Sequence, residues 1–177
     1  MTISKISPLA PKILVNMPTL IGVELATAST GIKYKNRDDL LLMVFSPETT
    51  IAGVFTKSTT AAISVLLTKH VVKTGQGRCL LVNAGNANAF TGLDGERSAN
   101  SILSSISKVS GLPVSSIMMA STGVIGEPLD DAIVNRHIDN LWNSKGAADW
   151  YQAASAIKTT DTFAKVTSMT IEIGNQK

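Results

Sequence analysis

The sequence predicts a layered α/β protein, and three observations carry that prediction. Short apolar runs separated by turn signals fill the first third of the chain. From residue 99 onward, apolar residues fall at helical spacing and alternate with further short apolar runs. No linker-like stretch divides the 177 residues, so 1–177 reads as a single domain, long enough to bury a core.

Residues 22–28 carry Val23 and Leu25 in alternation, and residues 40–45 are continuously apolar; both read as strands. A turn at Ser46-Pro47-Glu48 leads to a third expected strand at 51–55. Strands in this sequence predict an antiparallel or mixed sheet. Residues 61–67 fit either a further strand or the start of a helix. Residues 78–83 read as a buried strand. Ala99, Ile102, Leu103 and Ile106 then fall at i, i+3, i+4 and i+7, one stripe of a helix that Gly111 and Pro113 stop. Residues 117–120 form a short apolar strand, and Gly123 and Gly126 make the next turn. Pro128 opens a helix whose positive N-terminal end Asp130 and Asp131 suit, with Val134, Ile138, Leu141 and Trp142 on its buried face. Residues 147–157 are expected to be helical. Residues 163–173 read as a last strand, with Val166, Ile171 and Ile173 as core positions.

Composition narrows the function. Hydrophobic residues make up 44% and charged residues 16%, against about 25% charged in a typical soluble domain. The excess apolar content points to buried surface beyond one free domain, an oligomer interface or a partner chain. The net charge is +3, but its densest basic group, Lys33, Lys35 and Arg37, runs straight into Asp38 and Asp39 and reads as a solvated turn. Aromatics are 5%, too few for base-stacking platforms, so no nucleic-acid partner is expected. No apolar run approaches the ~18 residues needed to span a membrane, and no membrane partner is expected. The single cysteine, Cys79, excludes an intrachain disulfide, suits a reducing cytoplasm, and reads as a buried structural thiol.

Two segments bear on chemistry. Ser121-Thr122-Gly123-Val124-Ile125-Gly126-Glu127-Pro128-Leu129 lies between a strand and a helix. It is either an ordinary glycine turn or one whose fixed backbone N–H groups stabilise an oxyanion in acyl transfer. Asn83-Ala84-Gly85-Asn86-Ala87-Asn88-Ala89 follows a strand; its three asparagines suit local turns or a polar pocket.

Taken together, these segments resemble the ornithine acetyltransferases. Asn83 to Ala89 followed by Thr91-Gly92, Ser121 to Gly126, Ala52-Gly53-Val54-Phe55-Thr56 with Ala61-Ala62, and Thr159-Thr160-Asp161-Thr162 all match family segments, in order and well spaced, from about Gly22 to Asp161. The resemblance implies a layered α-β-β-α sandwich with mixed sheets. It implies an enzyme that moves acetyl from N2-acetylornithine to glutamate in arginine biosynthesis by a ping-pong mechanism, some members also using acetyl-CoA. It further implies a precursor that cuts itself before a threonine, which becomes the nucleophile at the N-terminus of a β chain. This chain then corresponds to the α chain, completed by that β chain, with an α2β2 assembly expected. No metal or organic cofactor is implied. By the same resemblance Thr122 and Gly123 match the oxyanion-hole pair, and the Thr159-Thr160 pair matches the segment that supplies a substrate-binding threonine, Thr159 in the favoured register.

The sequence departs from the family in one respect. The self-cleavage segment, with its Lys-Gly, Met-Ile and terminal Ala-Thr, does not occur, and the chain ends at Gly174-Asn175-Gln176-Lys177, at or just past an expected strand. The nucleophile is therefore expected on another chain. Ser121 lacks a glycine two residues before it and does not make a hydrolase nucleophile elbow. His70 and His137 have no ligand-spaced partner and read as packed or surface histidines. Neither common glycine-rich nucleotide-binding pattern is present. A second reading, a catalytically silent scaffolding chain of the same fold, is separated from the enzyme by whether an Ala-Thr junction is encoded downstream.

Overall fold

A computed structural model describes residues 6–13 and 15–174. Residues 175–177, expected at or just past a strand, lie outside the described residues. Four strands form one mixed sheet in chain order: β1 (Val23–Ala28), β2 (Leu40–Phe45), β3 (Cys79–Asn86) and β4 (Ile117–Val124). The first three are antiparallel neighbours, and β3 and β4 run parallel. The parallel pair needs a crossover, which α2 (Gly92–Ser110) supplies. The remaining helices are α1 (Ile63–Val72), α3 (Asp131–Asn143) and α4 (Trp150–Ile157).

The two sheet faces are covered unequally. Alternation along the strands turns Ala26, Leu40, Leu42, Val44, Cys79, Leu81, Ile117 and Met119 to one face. There they meet the predicted stripe of α2, with Ala99, Ile102, Leu103 and Ile106 all buried, and Val134, Ile138 and Leu141 of α3. Ile63 and Leu67 of α1 pack against the same cluster, which settles the 61–67 alternatives as helix. On the other face Leu25 and Leu41 pack against Ala153 and Ala156 of α4. This is an α/β arrangement with helices on both sides of a mixed sheet.

Helix ends follow local chemistry. Gly111 at φ 72° terminates α2 in the left-handed conformation. Asp130 caps α3 by accepting from the N–H groups of Ala132 and Ile133, so this helix starts at Asp131 rather than at the expected Pro128. Asp149 and Gln152 form a reciprocal capping box on α4, which starts at Trp150, three residues after the expected 147.

Three expected strands differ. Residues 51–55 make no strand: the segment joins neither open edge of the sheet, and Thr50 before it makes only an isolated bridge to Gln76. Residues 163–173 make no strand either; Val166 is half-buried, while Ile171 and Ile173 are exposed rather than core. β4 is longer than expected, running on through Ser121, Thr122 and Gly123 to Val124, so those residues lie in a strand and not in a turn.

Candidate active site

Thr122 and Gly123 sit near the C-terminal end of β4, a sheet edge, beside the Asn83–Asn88 segment. Across the parallel pair Asn83 lies opposite Ser121, Ala84 opposite Thr122 and Gly85 opposite Gly123, and the register shifts at Asn86, which faces both Thr122 and Val124. Such a bulge re-aims the strand end locally. Two glycines permit the close approach. Gly123 has φ 139°, and a Cβ there would fall 2.2 Å from the Gly85 carbonyl carbon. Gly85 has φ 106°, and its Cβ would fall 2.8 Å from the Lys33 Cβ.

The outer edge of β4 presents main-chain donors. Met119 turns both its backbone groups away from β3, its N–H donating to the Thr68 Oγ1 at 2.9 Å and its carbonyl accepting from the same hydroxyl at 2.6 Å. Regular strand alternation directs the N–H group of Ser121 to that same outer edge. The Thr122 side chain is half-buried, and its hydroxyl makes no hydrogen bond among the described residues. The Thr122 hydroxyl is thus a donor left open beside Gly123, and an oxyanion site needs open donors.

The asparagines build the scaffold behind these donors. Asn83, fully buried, donates through Nδ2 to the Asn86 carbonyl at 2.8 Å. Asn86 donates through Nδ2 to the Glu127 carbonyl at 2.9 Å and accepts from the Asn88 N–H at 2.7 Å. Asn88, at φ 45°, donates to the Gly95 carbonyl. The chain of side-chain-to-backbone bonds ties the exits of β3 and β4 together: Asn83 and Asn86 lie in β3, which runs past the expected residue 83, and Asn88 alone sits in the turn beyond it.

Thr159 and Thr160 follow α4; Thr159 is half-buried and Thr160 exposed. The connection between β1 and β2 touches both candidate segments. Lys33 packs against Gly85, the backbone neighbour of Gly123, and the Arg37 guanidinium donates to the Lys158 carbonyl, directly before Thr159. Lys33 and Lys35 are exposed, as the expected solvated turn implies, while Arg37 and Asp39 make the same connection an ordered bridge. Its root is Asp39, fully buried, whose carboxylate accepts from the Thr30 N–H and hydroxyl (2.7 Å each) and from the Gly31 and Ile32 N–H groups (3.0 and 3.1 Å). Arg37 and Asp39 carry roles that sequence patterning missed: Asp39 binds groups seven to nine residues away, a spacing that belongs to no short turn motif.

The other candidates fall into place. Cys79 is buried among core side chains, and that burial raises its thiol from 9.0 to about 12, far from the thiolate a nucleophile needs. Ser121 faces the helix-covered side; its Oγ is buried without a partner, as is Asn83 Oδ1 on the neighbouring strand. Among the described residues no three His, Cys, Asp or Glu side chains come together as a metal site, and no helix is long and apolar enough to cross a membrane.

Comparison with known proteins places the chain in a family. The family model described as the ArgJ family matches residues 24–177. The arginine biosynthesis bifunctional protein ArgJ of Bradyrhizobium diazoefficiens is 47% identical over 174 residues, covering 98% of this chain and 42% of that protein. Its namesake from Mesorhizobium japonicum is 46% identical over 170 residues, covering 96% of this chain and 41% of the relative. The chain therefore spans about two fifths of the length of these relatives. Among solved structures, the Mycobacterium tuberculosis ornithine acetyltransferase complexed with ornithine superposes with a TM-score of 0.75 at 29% identity, covering 80% of this chain and 77% of that one. The Bacillus halodurans argJ protein superposes with a TM-score of 0.74 at 30% identity, covering 80% and 74%.

Proposed function

The chain belongs to the ArgJ family, and from that premise we propose that it is the α-chain portion of a glutamate N-acetyltransferase that takes its acetyl group from N2-acetylornithine. The observation that carries this reading is the Thr122 hydroxyl at the β4 edge, without a hydrogen bond among the described residues and next to Gly123, backed by the asparagine scaffold. The domain 1–177 is completed by a β chain from the same self-cleaved precursor, in an α2β2 assembly, and the site lies in the cytoplasm.

The reaction proceeds in two halves. The hydroxyl of the β chain's N-terminal threonine, its proton passing to that residue's own α-amine, attacks the acetyl carbonyl carbon. Charge builds on the carbonyl oxygen, where Thr122 and Gly123 donate to it. The amide C–N bond breaks, the proton passes to the leaving nitrogen, and ornithine departs, leaving an acetyl ester. The amine of glutamate attacks that ester and regenerates the threonine. Thr159, with Thr160 beside it, holds the amino-acid portion of the substrate.

The test is acetyl transfer from N2-acetylornithine to glutamate by the chain co-produced with the polypeptide encoded downstream. Transfer with a covalently acetylated N-terminal threonine is expected. A downstream stop codon, or transfer that persists when that threonine is replaced by alanine, would overturn the reading.

A further inference from the structure

We propose that Arg37 is a positioning residue that sets the orientation of Thr159 through the peptide bond before it, an inference that rests on the acetyl-transfer reading above. The last carbonyls of a helix have no partners within it. At the end of α4, Arg37 supplies them: its guanidinium donates to the Ser155 carbonyl at 3.3 Å and to the Lys158 carbonyl, and its Nε donates to the Asp38 carbonyl at 3.3 Å. A cation at this helix end also faces the negative pole of the helix.

The Lys158 carbonyl matters because of covalent geometry. It shares one planar peptide unit with the Thr159 N–H, so fixing the carbonyl fixes the plane from which Thr159 departs. Lys158 itself has left the helix, at φ −72° and ψ 146°, and the chain there has no further helical bond to hold it. Arg37 is in turn held. Its guanidinium lies 4.2 Å from the centroid of the Tyr34 ring, which restricts the plane of its fork. The neighbouring Asp38 accepts from the Thr27 hydroxyl at 2.6 Å, and the Asp39 clamp anchors the connection to β2. The same connection places Lys33 against Gly85, beside Gly123. One ordered segment therefore indexes the substrate threonine against the oxyanion strand, and Arg37 is its contact on the substrate side.

The experiment uses the chain together with its downstream polypeptide and compares wild type with Arg37→Met, which keeps the stem, and Arg37→Lys. Amide hydrogen exchange is read over residues 158–162. Faster exchange confined to that stretch in Arg37→Met is expected; unchanged exchange overturns the proposal whatever the enzyme does. Kinetically, Arg37→Met should raise KM for N2-acetylornithine about 3- to 10-fold, the loss of one or two hydrogen bonds acting on binding, with kcat within about twofold. Arg37→Lys should recover part of that loss, because one nitrogen, Nη2, serves both carbonyls and an ammonium can stand in for it, while the Nε bond to the Asp38 carbonyl and the planar stacking on Tyr34 are lost. In a Thr159→Ala background the Arg37→Met effect on KM should fall below about twofold, since a residue acting through Thr159 has nothing left to position. The same KM ratio in both backgrounds, or a loss of kcat that tracks a lower Tm, overturns the proposal. Absence of acetyl transfer in the wild type would instead overturn the functional reading, with hydrogen exchange still deciding the role of Arg37.

Discussion

Thr122 and Gly123 are neighbours on one strand, yet substitution should affect them in opposite ways. The Thr122 hydroxyl supports nothing among the described residues, so Thr122→Ala should leave Tm nearly unchanged while lowering kcat ~10²–10³-fold, the usual loss for one oxyanion donor. Steady-state kinetics beside thermal melting separates the two effects, and a kcat within about twofold of wild type would remove Thr122 from the mechanism. At Gly123 an added methyl would lie 2.2 Å from the Gly85 carbonyl carbon, and φ 139° suits only glycine. Gly123→Ala should therefore cost about 1–3 kcal/mol in chemical denaturation before any catalytic effect is counted. Cys79 gives a pH signature. Its ordinary thiol value is 9.0 and burial raises it to about 12 in the folded state. A raised pKa means the fold favours the neutral thiol: that contribution to stability is complete below pH 9 and is lost as pH rises from 9 towards 12. Native protein at pH 8 should thus resist iodoacetamide, and denatured protein should react at once; rapid native alkylation would place Cys79 outside the core.

At the scale of elements, what could be read in the sequence depended on whether a pattern was set locally or by topology. The α2 stripe was legible because Ala99, Ile102, Leu103 and Ile106 repeat with the helix itself, and Gly111 ends it by its own backbone freedom. The expected strand at 51–55 failed because apolar character does not by itself make a ladder: the segment's start reaches only an isolated bridge from Thr50 to Gln76. β4 was underestimated because Ser121, Thr122 and Gly123 look like turn residues, and the missing side chain of Gly123, whose Cβ would meet the Gly85 and Asn86 backbone, lets them continue beside β3. The β1–β2 connection was read only in part: Lys33 and Lys35 are exposed as expected. Its charges look solvated, but Asp39 is fully buried and serves four donors. Asp39→Asn keeps the shape and replaces an acceptor-only carboxylate with a group that presents donors to donors. We expect a loss of about 1.5–3 kcal/mol in urea denaturation, the range for hydrogen bonds to a charged group. A change within experimental error would show that the connection is not held by its carboxylate.

At the scale of the whole molecule, the two faces of the sheet carry the remaining argument. Three helices cover one face, and only the eight-residue α4 covers the other. On that second side Leu80, Val82 and Ala120 are only half-buried, and an open cleft of about 460 Å³ lies between Leu41, Met43, Trp150 and Ala153 and the extended stretch at Val166 and Met169. Residues 163–173, apolar enough to read as a strand, cross this cleft without joining the sheet. Ile21, Val54 and Met169 are exposed, in a chain with 16% charged residues. Large open apolar surface of this kind favours association. The chain also spans about two fifths of the relatives' length, and among the described residues neither candidate nucleophile is activated, since Cys79 is held as a thiol and Ser121 faces the core. Donors can only stabilise charge that a nucleophile has created. We therefore expect residues 1–177 produced alone to aggregate and to transfer no acetyl group, and co-production with the downstream polypeptide to restore both solubility and transfer. Gel filtration and a coupled assay of acetylglutamate formation decide it. Acetyl transfer by a monodisperse isolated chain would refute this expectation and return the search for a nucleophile to Ser121 and Cys79.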